Sequence, residues 1–227
     1  MEKSTINRFA GIAGITSALL FITSIMGMQT YLTFNFDDVS AFTNEMVEAH
    51  TTMLLYGWPG FMATLLLIPF VYAFYEANSY TKHYSKIVLL ITQIGFGFIM
   101  IAYLFHLSFT YFHAPMYQNL ASEQQASFGF IMHATIGLQD MFWLGGDLLA
   151  FLGISLLLLL GLKETIFPKW LLIVGAVAGI LAAVGSFSFL PAFKQLSWLG
   201  FFFIGGFSTF VIWQIVAGIF LIKLSRS

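Results

Sequence analysis

The sequence predicts an all-α polytopic membrane protein: a six-transmembrane-helix bundle with both termini in the cytoplasm (N-in/C-in). Of its 227 residues, 59% are apolar and 8% are charged, whereas soluble domains carry about 25% charged residues. The chain contains six apolar runs of about 20 residues, the length that a helix needs to cross the bilayer core. The basic residues also collect in alternate connections, as the positive-inside rule requires. Lipid is therefore the expected solvent of this chain.

The six runs follow one another as a single domain, residues 1–227. They cover residues 9–28, 53–74, 87–109, 142–162, 170–190 and 199–222. Because each run is continuously apolar and does not alternate, it predicts a helix instead of a barrel strand. The first run is longer than the apolar core of a signal peptide and lacks a small-residue cleavage site, so we expect a retained helix.

The orientation follows from nine basic residues. With six spans, eight of them fall on one side: Lys3, Arg8, Lys82, Lys86, Lys163, Lys169, Lys223 and Arg226. Only Lys194 falls on the other side. Cytoplasmic connections are enriched in Lys and Arg, so both termini are predicted to be cytoplasmic. The expected location is the cytoplasmic membrane of a bacterium, with the lipid bilayer as the main partner.

The two longer connections are predicted on the outer side, at residues 35–49 and 113–140. Ser122 followed by Gln125 is a capping-box pattern, which predicts that a helix starts there. Counted from Ser122 to Lys163, the fourth helix is longer than the bilayer requires. It therefore either projects outward or begins with a segment in the interface.

Small residues recur at helix-packing spacing in two of the spans. Ala10 and Gly14 lie in the first span, and Gly175, Gly179 and Ala183 lie in the fifth. Such rows let two helix backbones approach closely. The partner helix belongs either to the same chain or to a second copy, so a homodimer through spans one or five is one expectation.

Composition excludes several classes of function. The chain has no cysteine, so it has no disulfide and no thiolate metal site. Its net charge of −1 provides no polybasic surface for nucleic acid. Phosphate-loop, nucleotide-binding and nucleophile-elbow motifs are also missing from the sequence.

The remaining polar residues concentrate on the predicted outer side. Seven of the ten acids and four of the five histidines fall there. Ionisable groups inside a membrane are costly and point to function, and Asp147 and His106 lie deepest. Tyr103 precedes His106 on the same helix. The full set of candidate ligand-pocket residues is Asp147, His106, Asp140, His133, His113, His50 and Tyr103.

Spacing places these residues on common helix faces. His106 and His113 are seven residues apart, as are His133, Asp140 and Asp147 in turn. A seven-residue repeat drifts by only about 20° on an α-helix. We therefore expect two polar stripes that face each other inside the bundle, with His106 as a possible partner of Asp147.

Three kinds of site fit these stripes. His106, His133 and Asp147 are ligand types that suit zinc or iron. Haem b needs only one histidine from each of two helices, such as His106 or His113 with His133. The third is a cavity that binds a small ligand or a proton, with Asp147 as the titrating group. In a fourth, non-functional interpretation, Asp147 pairs with one polar neighbour and the histidines are simply hydrated.

The preferred function is an integral membrane protein that binds or transports a small ligand or proton through an outward-facing pocket. One alternative is a metal- or haem-dependent enzyme acting on a lipophilic substrate. Another is an accessory or structural membrane subunit. The sequence does not decide whether the protein is an enzyme, and its biochemical role stays open.

Two stretches resemble a known family. The turn after the fourth span reads Lys163-Glu-Thr-Ile-Phe-Pro-Lys-Trp-Leu171, and the last span ends Trp213-Gln-Ile-Val-Ala-Gly-Ile-Phe-Leu-Ile-Lys223. Together with length and span number, they resemble small bacterial six-span membrane proteins catalogued as a domain of unknown function. The resemblance implies a bacterial inner-membrane location and carries no activity.

Overall fold

The computed structural model describes residues 3–31, 38–77, 82–163, 166–189, 193 and 195–226. Within these ranges the chain is helical and contains no strand. The helices are α1 (Lys3–Tyr31), α2 (Val39–Glu48), α3 (His50–Ala77), α4 (Lys82–Ser108), α5 (Ala114–Gln118), α6 (Ser122–Leu160), α7 (Lys169–Gly185) and α8 (Ser197–Leu224). A π-helical segment, Phe109–His113, joins α4 to α5, and 3₁₀ turns follow α6 and α7.

Six helices are long and apolar enough to cross a membrane: α1, α3, α4 with its extension, α6, α7 and α8. Their outer surfaces expose large apolar side chains, among them Leu19, Leu90 and Ile204, each more than half exposed. Water would oppose this exposure, whereas lipid tails accept it. The chain is therefore a multi-pass membrane protein, and the predicted all-α fold with six membrane-length helices is confirmed, whereas the N-in/C-in orientation stays a prediction. Each predicted run falls on one helix and its terminal turn; Leu190 lies outside the described residues.

The six long helices form a closed ring. Each packs against its neighbours in chain order, from α1 through α3, α4, α6 and α7 to α8, and α8 packs back against α1. Two glycines close the ring, because a Cβ at Gly11 would clash with the backbone of Gly218, and the reverse also holds. The ring leaves an interior in which side chains from non-adjacent helices meet.

The small-residue rows pack inside this ring. A Cβ at Gly14 would overlap the ring of Phe70, and one at Gly175 would overlap Trp213. Gly179 lies against Ser155, while Ala10 and Ala183 are buried. The five residues of these rows therefore serve contacts between helices of one chain, and the homodimer stays a prediction.

Buried polar side chains join neighbouring helices. Trp213 Nε1 donates a 2.8 Å hydrogen bond to the Leu171 carbonyl, which ties α8 to the start of α7. Ser155 Oγ donates to the Ala176 carbonyl at 2.9 Å, between α6 and α7. Ser17 Oγ donates to the Ala63 carbonyl at 2.8 Å, between α1 and α3. In lipid such bonds stabilise helix pairs by about 0.6 kcal/mol on average.

The two ends of the ring differ in charge. The end where α1 and α4 begin and α8 ends carries all eight basic residues of the predicted inner set, and we call it the basic end. The opposite end, where α3, α6 and α8 begin, we call the distal end.

The two segments predicted as outer loops are largely helical and lie at the distal end. The first contains α2, and the second leaves only residues 119–121 outside helices. The 39 residues of α6 span about 58 Å at 1.5 Å per residue, nearly twice the bilayer core. This long helix therefore projects beyond the ring, which is the first of the two alternatives that its length in the sequence predicted.

The projecting parts form what we call the helical cap: α2, the π segment, α5 and the first turns of α3 and α6. Its small apolar core is separate from that of the ring and consists of Phe42, Met46, Met53, Phe109, Ala114, Tyr117 and Met132. Asp38 caps α2, accepting from the Ser40 and Ala41 amides. At the start of α6, Gln124 Oε1 accepts from the Ala121 amide. The capping glutamine is thus one residue earlier than the pattern predicted.

Candidate functional site

A cavity of about 100 Å³ lies inside the ring, from its middle toward the distal end. Five of the six long helices contribute to its wall. The lining residues are Phe21, Ser24, Ile25, Met28, Tyr56, Leu67, Phe96, Ile99, Tyr103, Gln139, Asp140, Trp143, Asp147, Ala150, Phe151, Phe203 and Phe207. Eight of these seventeen are aromatic, two are acidic and none is basic. The cavity is therefore apolar over most of its surface, and the charged groups among its described lining residues are the two acids.

Three aromatic side chains form a connected group in the wall. The rings of Tyr103 and Trp143 meet edge to face, with centroids 4.5 Å apart. The rings of Tyr56 and Trp143 are nearly parallel, with an interplanar angle of 19° and centroids 6.4 Å apart. We call Tyr56, Tyr103 and Trp143 the aromatic group. These residues come from α3, α4 and α6, so they join three helices as well as line the cavity.

A glycine of α3 makes room for the aromatic group. A Cβ built at Gly60 would overlap the ring and hydroxyl of Tyr103. Gly60 belongs to the Gly57-Trp-Pro-Gly60 sequence, which the helix accommodates without interruption. On α1, Ser24 Oγ donates a 2.8 Å hydrogen bond to the backbone carbonyl of Tyr56 in α3, which lies one turn before Pro59. The Tyr103 hydroxyl lies within hydrogen-bonding reach of Ser24.

Asp147 is the acid placed deepest in the cavity. Its side chain is 4% exposed. Oδ2 accepts a 2.8 Å hydrogen bond from Ser186 Oγ, in the 3₁₀ turn that ends α7. Burying a carboxylate without an opposite charge is expensive, and the described lining residues supply no cation. Among the described residues, the hydrogen-bond donor to this carboxyl group is the neutral hydroxyl of Ser186.

Two more residues of α6 add polar atoms to this wall. Asp140 is half-buried and lies two turns before Asp147 on the same continuous helix. Gln139 is 1% exposed, and within the described part of the chain its Oε1 has no hydrogen-bond donor. The predicted stripe is thus present in its two acids, which face one cavity. The side chain of His133, the third member, lies outside the described residues.

A family model matches residues 12–224 of this chain, a range that includes every residue lining the cavity. It is described as a domain of unknown function, DUF4386. The chain belongs to the DUF4386 family. This confirms the resemblance seen in the turn after the fourth span and in the last span. No curated protein and no solved structure matches the chain.

In this DUF4386 chain, His106 lies behind the cavity wall. The ring is fully buried and meets that of Tyr56 edge to face, with centroids 4.5 Å apart. Gly57 packs against the same imidazole, and the Met53 backbone lies within hydrogen-bonding reach. Asp147 accepts a hydrogen bond from Ser186, and its pairing with His106 stays a prediction.

The other predicted histidines lie in the helical cap. His113 Nδ1 is 3.2 Å from the Ser108 carbonyl, and the ring packs against Phe109. The π segment ends at His113, so the α-helical register that would align it with His106 is lost between them. His50 starts α3 and meets Tyr111 edge to face, with centroids 6.0 Å apart.

The metal and haem hypotheses gain no support from these positions. Among the described residues, no three histidine or acidic side chains come together as a metal-binding group. Zinc or iron bound by His106, His133 and Asp147, and haem b bound by His106 or His113 with His133, stay hypotheses.

Three lining residues outside the predicted candidate set carry polar atoms or large rings beside Asp147 or Tyr103 in the wall: Tyr56, Gln139 and Trp143. Gln139, Trp143 and Asp147 are spaced by four, which places them on one face of α6. That spacing, centred on an acid within an apolar helix, would have found two of the three. Nothing comparable marks Tyr56, because its place depends on how α3 packs against α4.

Proposed function

We propose that this protein binds a small ligand in the cavity and that Asp147 is its polar anchor. The observation that carries the proposal is a buried carboxyl group, with no cationic side chain among the described lining residues, in a mainly apolar cavity. Binding sites for small molecules are concave and largely apolar, with a few placed polar groups. An intramembrane acid is likewise a mark of function.

The interior of the ring favours binding over an open channel. Toward the basic end it is filled by large aromatic side chains, including Phe70, Phe74 and Trp213, which pack on one another. Phe167 stacks on Phe74, with centroids 4.7 Å apart. A ligand in the cavity therefore meets a closed interior on that side, and transport would need these helices to move.

We further propose that the distal end faces the outside of a bacterial cytoplasmic membrane. The support is the collection of eight basic residues at the basic end, which the positive-inside rule assigns to the cytoplasm. With this orientation the cavity is reached from outside and the helical cap lies over its entrance. The enzyme and accessory-subunit alternatives stay hypotheses without a specific observation in their favour.

Site-specific labelling tests the binding site, because the natural chain has no cysteine. Ala150→Cys places a thiol on the cavity wall, and methyl methanethiosulfonate labels it by disulfide exchange. Three molecules of nearly equal shape serve as probes: choline, 3,3-dimethylbutan-1-ol and 3,3-dimethylbutanoate. We expect at least one of them to slow the labelling several-fold, as measured by mass spectrometry.

Two controls separate binding from other effects. Ser122→Cys is exposed at the distal end, and its labelling should not respond to the probes. Ala73→Cys is as buried as Ala150 but does not line the cavity, so its labelling should be much slower. If none of the three probes protects Ala150→Cys, the proposed site is wrong.

A further inference from the structure

We propose that the cavity selects a small organic ammonium cation, held by the negative charge of Asp147 and the ring faces of the aromatic group. This inference rests on the proposed function and adds the chemical class of the ligand. It depends on the charge, surface and size of the cavity.

The charge of the cavity favours a cation. Asp140 and Asp147 both line it, and no Lys, Arg or His is present among the described lining residues. The ion pair between Lys82 and Glu76 lies at the basic end, far along α4 from Tyr103. An anionic ligand would meet the buried Asp147 carboxylate in a low-dielectric interior, where like charges repel most strongly. A cation would supply the opposite charge that Asp147 lacks.

The surface of the cavity favours an organic cation over a metal ion. A metal ion needs several oxygen or nitrogen ligands at close range, whereas this wall is mostly apolar. Aromatic faces attract ammonium groups through the ring quadrupole, Trp most strongly, and aromatic cages are a known solution for quaternary ammonium ligands. Tyr103 and Trp143 both line the cavity, and their ring planes lie 79° apart.

Gln139 adds a further acceptor to the same wall. Its side chain lines the cavity, and Oε1 has no donor within the described part of the chain. A buried acceptor without a donor is costly. Its partial negative charge is placed one residue before Asp140 and two turns before Asp147, and it adds to the negative potential of the cavity.

The size of the cavity limits the cationic group. Its volume is about 100 Å³, and an apolar protein cavity of about 150 Å³ binds benzene, which has six heavy atoms. The cavity therefore accommodates a group of about four heavy atoms, the number in a trimethylammonium headgroup. Any longer part of the ligand must extend toward the helical cap.

Choline and its neutral isostere test the ligand class in the Ala150→Cys protein. We expect choline to protect the thiol at a concentration at least tenfold lower than 3,3-dimethylbutan-1-ol, and 3,3-dimethylbutanoate not to protect it. In Asp147→Asn, choline and the alcohol should protect the thiol at similar concentrations. In Asp147→Glu, choline should still protect at the lower concentration. Trp143→Leu should weaken protection by choline more than protection by the alcohol, because the substitution removes an aromatic ring but keeps an apolar side chain.

A surface acid provides the matched control. Glu123→Gln removes a negative charge at the exposed start of α6 and should leave the choline-to-alcohol ratio unchanged. The three probes are compared in one protein, Ala150→Cys with its native Asp147. This comparison therefore tests the ligand class even if the Asp147 variants do not fold.

Each outcome has a distinct meaning. Equal protection by choline and the alcohol, or protection by the anion, would overturn the cation inference and keep the binding site. If the preference for choline persists in Asp147→Asn, then Asp147 is not the group whose charge binds the cation. Absence of protection by all three probes would overturn both the site and its ligand class.

Discussion

Ser186 Oγ lies 2.8 Å from Asp147 Oδ2 and 3.0 Å from the Ala182 carbonyl oxygen. A hydroxyl has one hydrogen, so the two acceptors compete for it. When Asp147 is charged, the hydrogen is best used on the carboxylate, because hydrogen bonds to charged groups are the stronger ones. When Asp147 is protonated, the acid can donate to Ser186, which then donates to Ala182. The charge of the cavity is thus linked to the last turn of α7.

Removing this hydroxyl is expected to weaken cation binding. Ser186→Ala deprives charged Asp147 of a bond worth about 1.5–3 kcal/mol, so the choline-to-alcohol preference should fall several-fold. Thermal unfolding in detergent should show a loss of about 1 kcal/mol. The measurements are the protection assay and the unfolding curve.

Ser155→Ala is the matched control for Ser186→Ala. It removes a bond between the same two helices, from Ser155 to Ala176, but leaves Asp147 untouched. Its stability loss should be similar and its ligand preference unchanged. An equal loss of preference in both variants would show that Ser186 acts through helix packing alone.

Gly60 is expected to tolerate no side chain. Gly60→Ala must displace the Tyr103 ring, and overpacking of this kind costs about 1–3 kcal/mol. Gly97, on α4, has open space around a built Cβ, so Gly97→Ala should be neutral or stabilise the helix by up to about 1 kcal/mol. Unfolding midpoints of the two variants measure the difference. A Gly60→Ala protein as stable as Gly97→Ala would contradict the close contact.

The helical cap is expected to control entry to the cavity. Phe42 is 2% exposed in the cap core, and Phe42→Ala should destabilise this core by about 3–5 kcal/mol. Local opening should then speed the labelling of Ala150→Cys. Phe130→Ala serves as the control. Phe130 lies near the start of α6, two residues before the cap-core residue Met132, but its side chain is 77% exposed. Unchanged labelling in Phe42→Ala would show that the ligand enters elsewhere.

The orientation is testable with two exposed positions. Ser122→Cys lies at the distal end and Arg226→Cys at the basic end. In intact cells, a membrane-impermeant thiol reagent should label the first and not the second. After the membrane is permeabilised, both should react. Labelling of Arg226→Cys alone in intact cells would reverse the topology.

The class of the fold was predictable because lipid constrains it so strongly. A spanning helix must be long, continuous and apolar, and each of these properties is visible along the chain. That Asp147, Asp140 and Tyr103 line an interior cavity was also predictable, since polar groups are rare inside such helices. Ser186 was not, because its partner is 39 residues away and only the packing of α6 on α7 brings the two together.

The histidines show the limit of spacing arguments. The seven residues from His106 to His113 predict a common face only for an uninterrupted α-helix. The π segment Phe109–His113 adds a wider turn, which the spacing of the histidines does not reveal. The structure accordingly places one histidine behind the aromatic group and the other in the cap.

The closed ring has a consequence for biogenesis. Phe203 and Phe207 of α8 belong to the cavity wall, and α8 also packs against α1. Until α8 is inserted, the α1 face around Gly11 lacks its contact with Gly218 and the cavity wall lacks its two α8 rings. Of the six spans in the described part of the chain, α8 is the last in chain order, so the cavity is completed only when α8 docks.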